Sequence, residues 1–138
     1  MKNIGFIPHK YRDGQLDPFE PMLASAGLTL EIGKLMKLEG GKLAVATGTD
    51  KPEYICMEHR KEQTVDGQMV HVIAVSNETI YETTLSEQSS SISVGSTYNI
   101  DSTGMMVTAT GGGSLRVESY EGKEAGNKVR VTIAAAAE

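Results

Sequence analysis

The sequence predicts an all-β fold: a small antiparallel β-barrel or sandwich with an extended N-terminal arm. Three observations point there. From residue 27 onward, apolar residues alternate with polar ones in short runs, the period of a half-buried strand. Turn signals rich in Gly, Asp and Ser separate these runs about every 8–12 residues, the spacing of antiparallel sandwiches and barrels. Before residue 27, three of the four prolines (Pro8, Pro18, Pro21) interrupt the chain. Proline lacks a backbone donor and fixes φ, so that stretch is neither a continuous helix nor a central strand.

The segment 1–26 is therefore read as an arm. Its apolar residues follow no helical or strand period, yet both phenylalanines of the chain, Phe6 and Phe19, lie in it. A solvated tail gains nothing from them, so the arm is expected to grip its own body or a neighbouring chain. Its candidate interface residues are Ile4, Phe6, Ile7, Tyr11, Leu16, Phe19 and Met22. Ordering an arm costs roughly 1–2 kcal/mol per residue. Burial of a large apolar side chain returns about 1.5–3 kcal/mol.

Residues 27–138 form the expected β body. Leu28, Leu30 and Ile32 alternate with Thr29 and Glu31, which predicts a strand. Leu35–Leu38, Gly40-Gly41 and Leu43–Val45 predict a tight hairpin. Strands are expected over Tyr54–Glu58, after the turn Asp66-Gly67 over Met69–Val75, and over Ile80–Leu85. Further strands follow at Thr97–Ile100, Met105–Thr110, Leu115–Tyr120 and Val129–Ile133, around the turns Asp101–Gly104, Gly111–Gly113 and Glu121–Lys128. The total is about eight or nine short strands. No internal repeat of 20–50 residues is visible.

Composition narrows the function. The 138 residues fit one domain, with 13 basic and 18 acidic residues and a net charge of −5. A nucleic-acid binder is expected to carry a basic excess, because phosphate neutralisation supplies much of its affinity. No stretch approaches the 18–20 apolar residues of a membrane helix. Cys56 stands alone, so no disulfide scaffold is expected. The start, Met1 to Lys10, lacks the apolar core of a signal peptide, which predicts synthesis in a cytosol.

No catalytic or metal-binding set stands out. Cys56 and His59 lie three apart, on opposite sides of a strand, and no second Cys completes a zinc site. Glu58-His59 lacks the second His of the helical zinc motif. His9, His59 and His71 are dispersed. Gly111-Gly112-Gly113-Ser114 is followed by the strand pattern Leu115-Arg116-Val117-Glu118 and not by the Lys and helix of a phosphate loop. The mixed run Glu58–Glu62 reads as a solvated loop. The expectation is a non-enzyme without cofactor or metal, of a kind that works by assembly.

Several runs carry a resemblance: Glu20-Pro21-Met22-Leu23-Ala24-Ser25-Ala26-Gly27, Gly33–Leu38, Gly41–Thr49, Lys51–Met57, Val72–Val75, Ile80–Leu85, Val94–Tyr98 and Ala125–Val131. Together, from about residue 20 to 133, the pattern of turns and apolar positions resembles head decoration (cement) proteins of tailed bacteriophages and prophages. The resemblance implies a β-rich structural protein of the virion, made in the bacterial cytoplasm and bound to the outside of the head. Its implied partner is the major capsid protein, whose subunits it clamps together. It also implies trimers and an N-terminal arm that crosses neighbouring subunits. Neither nucleic acid nor membrane is an expected partner. The other reading is a tail- or fibre-associated β module that recognises a host surface or carbohydrate. The absence of Trp argues against sugar stacking.

Overall fold

A computed structural model of the protein describes residues 5–11 and 20–134. Eleven strands run in order: β1 (Ile7–Tyr11), β2 (Glu20–Ala24), β3 (Leu35–Glu39), β4 (Lys42–Val45), β5 (Tyr54–Cys56), β6 (Gln68–Ala74), β7 (Thr79–Thr84), β8 (Thr97–Ile100), β9 (Val107–Gly111), β10 (Leu115–Tyr120) and β11 (Lys128–Ile133). They form a closed five-stranded barrel, β2-β4-β3-β5-β6, and a six-stranded sheet, β1-β7-β11-β10-β8-β9. The all-β expectation holds. The β3–β4 hairpin forms where Gly40 and Gly41 supply two successive positive φ angles, 58° and 80°, the requirement of a two-residue turn.

The second half repeats the connectivity of the first. In the barrel, β2 pairs antiparallel with β6, β6 with β5, β5 with β3 and β3 with β4, and a parallel contact between Ala24 and Leu43 closes the ring. In the sheet, β7 pairs antiparallel with β11, β11 with β10, β10 with β8 and β8 with β9, and a parallel bridge joins Leu85 to Val107. Single hydrogen bonds recur as well. Ser25 N–H donates to Leu43 O (3.0 Å), and Ser86 N–H to Val107 O (2.9 Å). Gly67 N–H donates to Ala24 O, and Gly126 N–H to Leu85 O, both at 2.8 Å. Residues 20–74 and 79–133 are thus two copies of one supersecondary unit. The period exceeds the 20–50 residues in which no repeat was visible, and few side chains match between the copies.

The halves are joined along one face of the first. Leu35, Ile55 and Ile73 are cross-strand neighbours, all buried within the larger core cluster with Tyr81, Leu115, Val117 and Val131 of the second half. The same row in the second half reads Thr97, Arg116, Thr132. There Arg116 pairs with Glu118, whose carboxylate also accepts from Thr132 Oγ1 at 3.2 Å. The row is therefore apolar in the first half and polar in the second, where Thr97 and Arg116 are exposed. A smaller cluster, Ala24, Leu30, Met36, Leu43, Cys56, Val70 and Val72, fills the barrel itself.

Three sequence expectations need correction. Leu28–Ile32 is not a strand. Gly27 (φ 79°) and Gly33 (φ 93°) turn the chain at either end, and the segment crosses the barrel mouth. It bonds irregularly there, with Leu28 O accepting from Thr64 N–H and Leu30 O from Arg60 N–H. Its alternation reflects the burial of Leu30, not a ladder. Second, among the described residues two strands, β1 and β2, arise before residue 27, in addition to nine beyond it, the number expected for the body. Third, the described parts of the proline-rich segment are built into the body. β1 pairs with β7, and β2 is a barrel strand paired with β6 over its whole length. Pro21 is accommodated because β2 carries only one ladder position, Ala24, on its other side, leaving Pro21 at an edge.

Candidate interaction surface

The residues expected to grip a partner divide into three groups. Phe6 is fully buried in the larger core cluster, and its N–H donates to Gly33 O at 2.8 Å. It anchors the chain to its own body. Met22 is half-buried and packs against the barrel core. Ile7 and Tyr11 lie on β1, opposite Glu82 and Thr79. Ile4, Leu16 and Phe19 lie outside the described residues.

Five large apolar side chains among the described residues face solvent: Leu23 (45% exposed), Ile32 (44%), Val65 (67%), Met69 (54%) and Val94 (64%). Three of them belong to one place. On antiparallel β2 and β6, alternate residues point outward. Leu23 sits directly opposite Met69, and Pro21 opposite His71, all exposed. Val65 opens the turn that feeds β6; its N–H donates to the Gln68 side chain at 3.0 Å. Directly opposed pairs on one sheet face touch. Together Pro21, Leu23, Met69 and Val65 form an apolar strip on the outside of the barrel.

Charged groups border the strip. The Glu58 carboxylate accepts from His71 N–H (2.7 Å), from His71 Nδ1 (2.8 Å) and from Arg60 Nε (2.8 Å). Partial burial works against its ionisation, but the bonds from His71 and Arg60 outweigh this and hold the Glu58 carboxyl below its ordinary value. Lys42 and Asp66 pair at 2.9 Å. Arg60, Lys61, Glu62, Gln63, Val65 and Gln68 line an open depression beside the strip. The mixed run Glu58–Glu62 is thus the rim of a surface. Sequence reading saw the individual residues but not the cross-strand pairing of Glu58 with His71.

The repeated fold supplies an internal comparison. The ladder positions of Pro21–His71 and Leu23–Met69 are taken in the second half by Glu82–Arg130 and Thr84–Lys128. Arg130 pairs with Glu82 at 3.0 Å and Glu121 at 3.1 Å. The fold itself accepts polar or charged residues at these positions, so the apolar character of the strip is not a demand of the barrel.

Cys56 points into the barrel core, and burial pushes its thiol up from the ordinary value. Among the described residues no cluster of three His, Cys, Asp or Glu side chains could hold a metal ion. No protein-family model matches the chain, and no curated protein matches it. Fold and surface define an all-β protein made of two like five-stranded units, with an apolar strip on the outside of the first.

Proposed function

We propose that the protein is a head decoration protein of a tailed bacteriophage, which binds the outer surface of the capsid and stabilises contacts between major capsid subunits. The observation that carries the reading is the strip Pro21, Leu23, Val65 and Met69; the ladder positions of Pro21, Leu23 and Met69 hold the polar or charged residues Glu82, Thr84 and Lys128 in the second half of the same fold. Exposed apolar groups gathered at one place and rimmed by polar ones suit a protein interface. The acidic balance, net −5, suits a partner outside the shell better than the genome within. The family resemblance supplies the identity of that partner, the outer-surface location and a trimeric assembly. No Tyr, Phe or Trp stands among the strip residues, which gives a sugar ring nothing to stack on. The strip therefore favours a protein shell over carbohydrate.

The test is direct. Purified protein is mixed with expanded, undecorated capsids and binding is measured by co-sedimentation. Saturable binding is expected, weakened at least about tenfold by Leu23→Ser with Met69→Ser. Absence of binding by the unaltered protein overturns the reading.

A further inference from the structure

The two remaining exposed apolar residues, Ile32 and Val94, occupy one and the same position of the repeated unit. Each stands in a four-residue turn, Glu31-Ile32-Gly33-Lys34 and Ser93-Val94-Gly95-Ser96. Lys34 N–H donates to Glu31 O at 3.2 Å, and Ser96 N–H to Ser93 O at 3.3 Å. The third residue is glycine with positive φ in both, 93° at Gly33 and 88° at Gly95, as a type II turn requires. Each turn is tied to the neighbouring strand in the same way. Gly33 N–H donates to Cys56 O and Gly95 N–H to Val117 O, both at 2.8 Å. Cys56 N–H returns a bond to Lys34 O (2.8 Å), and Val117 N–H returns one to Ser96 O (3.0 Å).

The turn needs the glycine. It does not need a β-branched apolar residue before it, where the favoured residue is proline and most others are accepted. The flanking positions differ between the halves: Glu31 against Ser93, and Lys34 against Ser96. The row beneath differs in polarity altogether, with Leu35 and Ile55 against Thr97 and Arg116. Yet both tips present a β-branched hydrocarbon to water, 44% exposed at Ile32 and 64% at Val94. Neither tip serves the core of its own half; the buried residue two positions earlier does that, Leu30 in one and Ile92 in the other.

We infer that Ile32 and Val94 are two copies of one contact, and that they engage two neighbouring copies of the same subunit in the partner assembly. A duplicated unit presenting one tip twice is complementary to a partner that presents one socket many times, as a shell of identical subunits does. Two contacts held on one rigid body make the second engagement intramolecular, and the affinity of the pair exceeds that of either. A bridge of this kind joins subunits instead of merely coating them. The inference rests on the shell-binding reading above and assigns it two specific points of attachment.

The tips can be mapped one at a time. Ile32→Cys and Val94→Cys each add an exposed thiol, while native Cys56 is buried and poorly ionised, so a maleimide photo-crosslinker labels the new position selectively. Each labelled protein is bound to undecorated capsids, irradiated and digested, and the crosslinked peptides are identified by mass spectrometry. Both tips are expected to join the same segment of the capsid subunit. In parallel, Ile32→Ser and Val94→Ser are each expected to weaken capsid binding at least about tenfold, and the double variant more than either. Unchanged melting temperatures would show that both variants fold. Crosslinks to two different segments, crosslinks only to other copies of this chain, or a single variant that binds like the unaltered protein would each overturn the inference. If the unaltered protein binds no capsid, the functional reading itself fails, which is a separate result.

Discussion

Gly5 and Gly33 lie backbone against backbone: a β-carbon added to either would sit 2.8 Å from the Cα of the other. This contact lets Phe6 N–H reach Gly33 O and fixes the start of the described chain on the first barrel. Gly95 holds the equivalent turn position in the second half with a similar φ, 88°, but a β-carbon there meets only Arg116 Nη2, at 3.7 Å. The pair separates two costs of losing a glycine. Gly95→Ala is expected to lose about 1–2 kcal/mol, the cost of left-handed backbone for an L-residue. Gly33→Ala is expected to lose clearly more, because backbone atoms of Gly5 and Phe6 block the new methyl. Urea unfolding of both variants tests the order, and equal losses would refute the close contact.

Phe6 is fully buried in the larger core cluster. Removing a buried aromatic ring leaves a cavity and costs about 3–5 kcal/mol. Phe6→Ala is therefore expected to lower the urea midpoint of the isolated protein strongly. If stability were unchanged while partner binding fell, the ring would belong to an interface after all.

Asp101 carries the turn between β8 and β9. It is 7% exposed, and its Oδ1 accepts from the N–H groups of Met105 and Met106, both at 3.0 Å. Thr103 Oγ1 donates to the same carboxylate. Asp101→Ala leaves those donors without an acceptor, and each unsatisfied buried group costs about 1–3 kcal/mol. Asp101→Asn keeps one acceptor oxygen and is expected to retain part of the loss. Thermal unfolding of the two variants should rank Asn above Ala.

How far the fold was legible follows from where its signals are local. Gly40-Gly41 and Asp66-Gly67 mark turns by their own backbone demands, and the alternation along β6, β7 and β11 marks strands by burial. The duplication was hidden because equivalent positions have different surroundings. Leu35, Ile55 and Ile73 are buried against the second half, whereas Thr97 and Arg116 are exposed and Thr132 bonds to Glu118, so the residues that would align have opposite polarity. The strip was hidden for a similar reason: Leu23 and Met69 become neighbours only through the β2–β6 register. Reading Pro8 and Pro21 as marks of an arm overlooked that an edge strand tolerates proline.

Acid and alkali should each remove a defined contribution. At the loop before β5, Thr47 N–H donates to Asp50 Oδ2 at 3.0 Å, and Lys37 Nζ lies 3.0 Å from the same oxygen. The Thr47 bond, aided by Lys37, holds the Asp50 carboxyl below its ordinary value. Glu58 is lowered too, its bonds from His71 and Arg60 outweighing burial. A carboxylate with a depressed folded-state value binds fewer protons when folded than when unfolded. Its contribution is present above the unfolded value and disappears as pH falls through the folded one. Lys37 is raised, first by Asp50 and then by Glu39, so its contribution is present below its unfolded value and is lost as pH rises through the folded one. Asp50→Asn should flatten the stability profile on both the acid and the alkaline side. A variant whose acid limb alone changes would show that Lys37 gains nothing from Asp50.

The polar row Thr97, Arg116, Thr132 sets the outer face of the second unit apart from that of the first. In the first half the equivalent row, Leu35, Ile55, Ile73, is buried against the second half, a contact between unlike faces of like units. Contacts of that head-to-tail kind do not close on themselves and propagate unless a unit lacks the adhesive face. Arg116, exposed and paired with Glu118, together with Thr132 and exposed Thr97, makes the second unit's face costly to desolvate. Replacing the row by its apolar counterpart, Thr97→Leu with Arg116→Ile and Thr132→Ile, is expected to add self-association absent from the unaltered protein. Light scattering after gel filtration should show an average mass that rises with concentration. The single change Thr97→Leu leaves Arg116 and Glu118 in place and should not do so. An unchanged mass for the triple variant would mean that polarity on this face is not what prevents self-association.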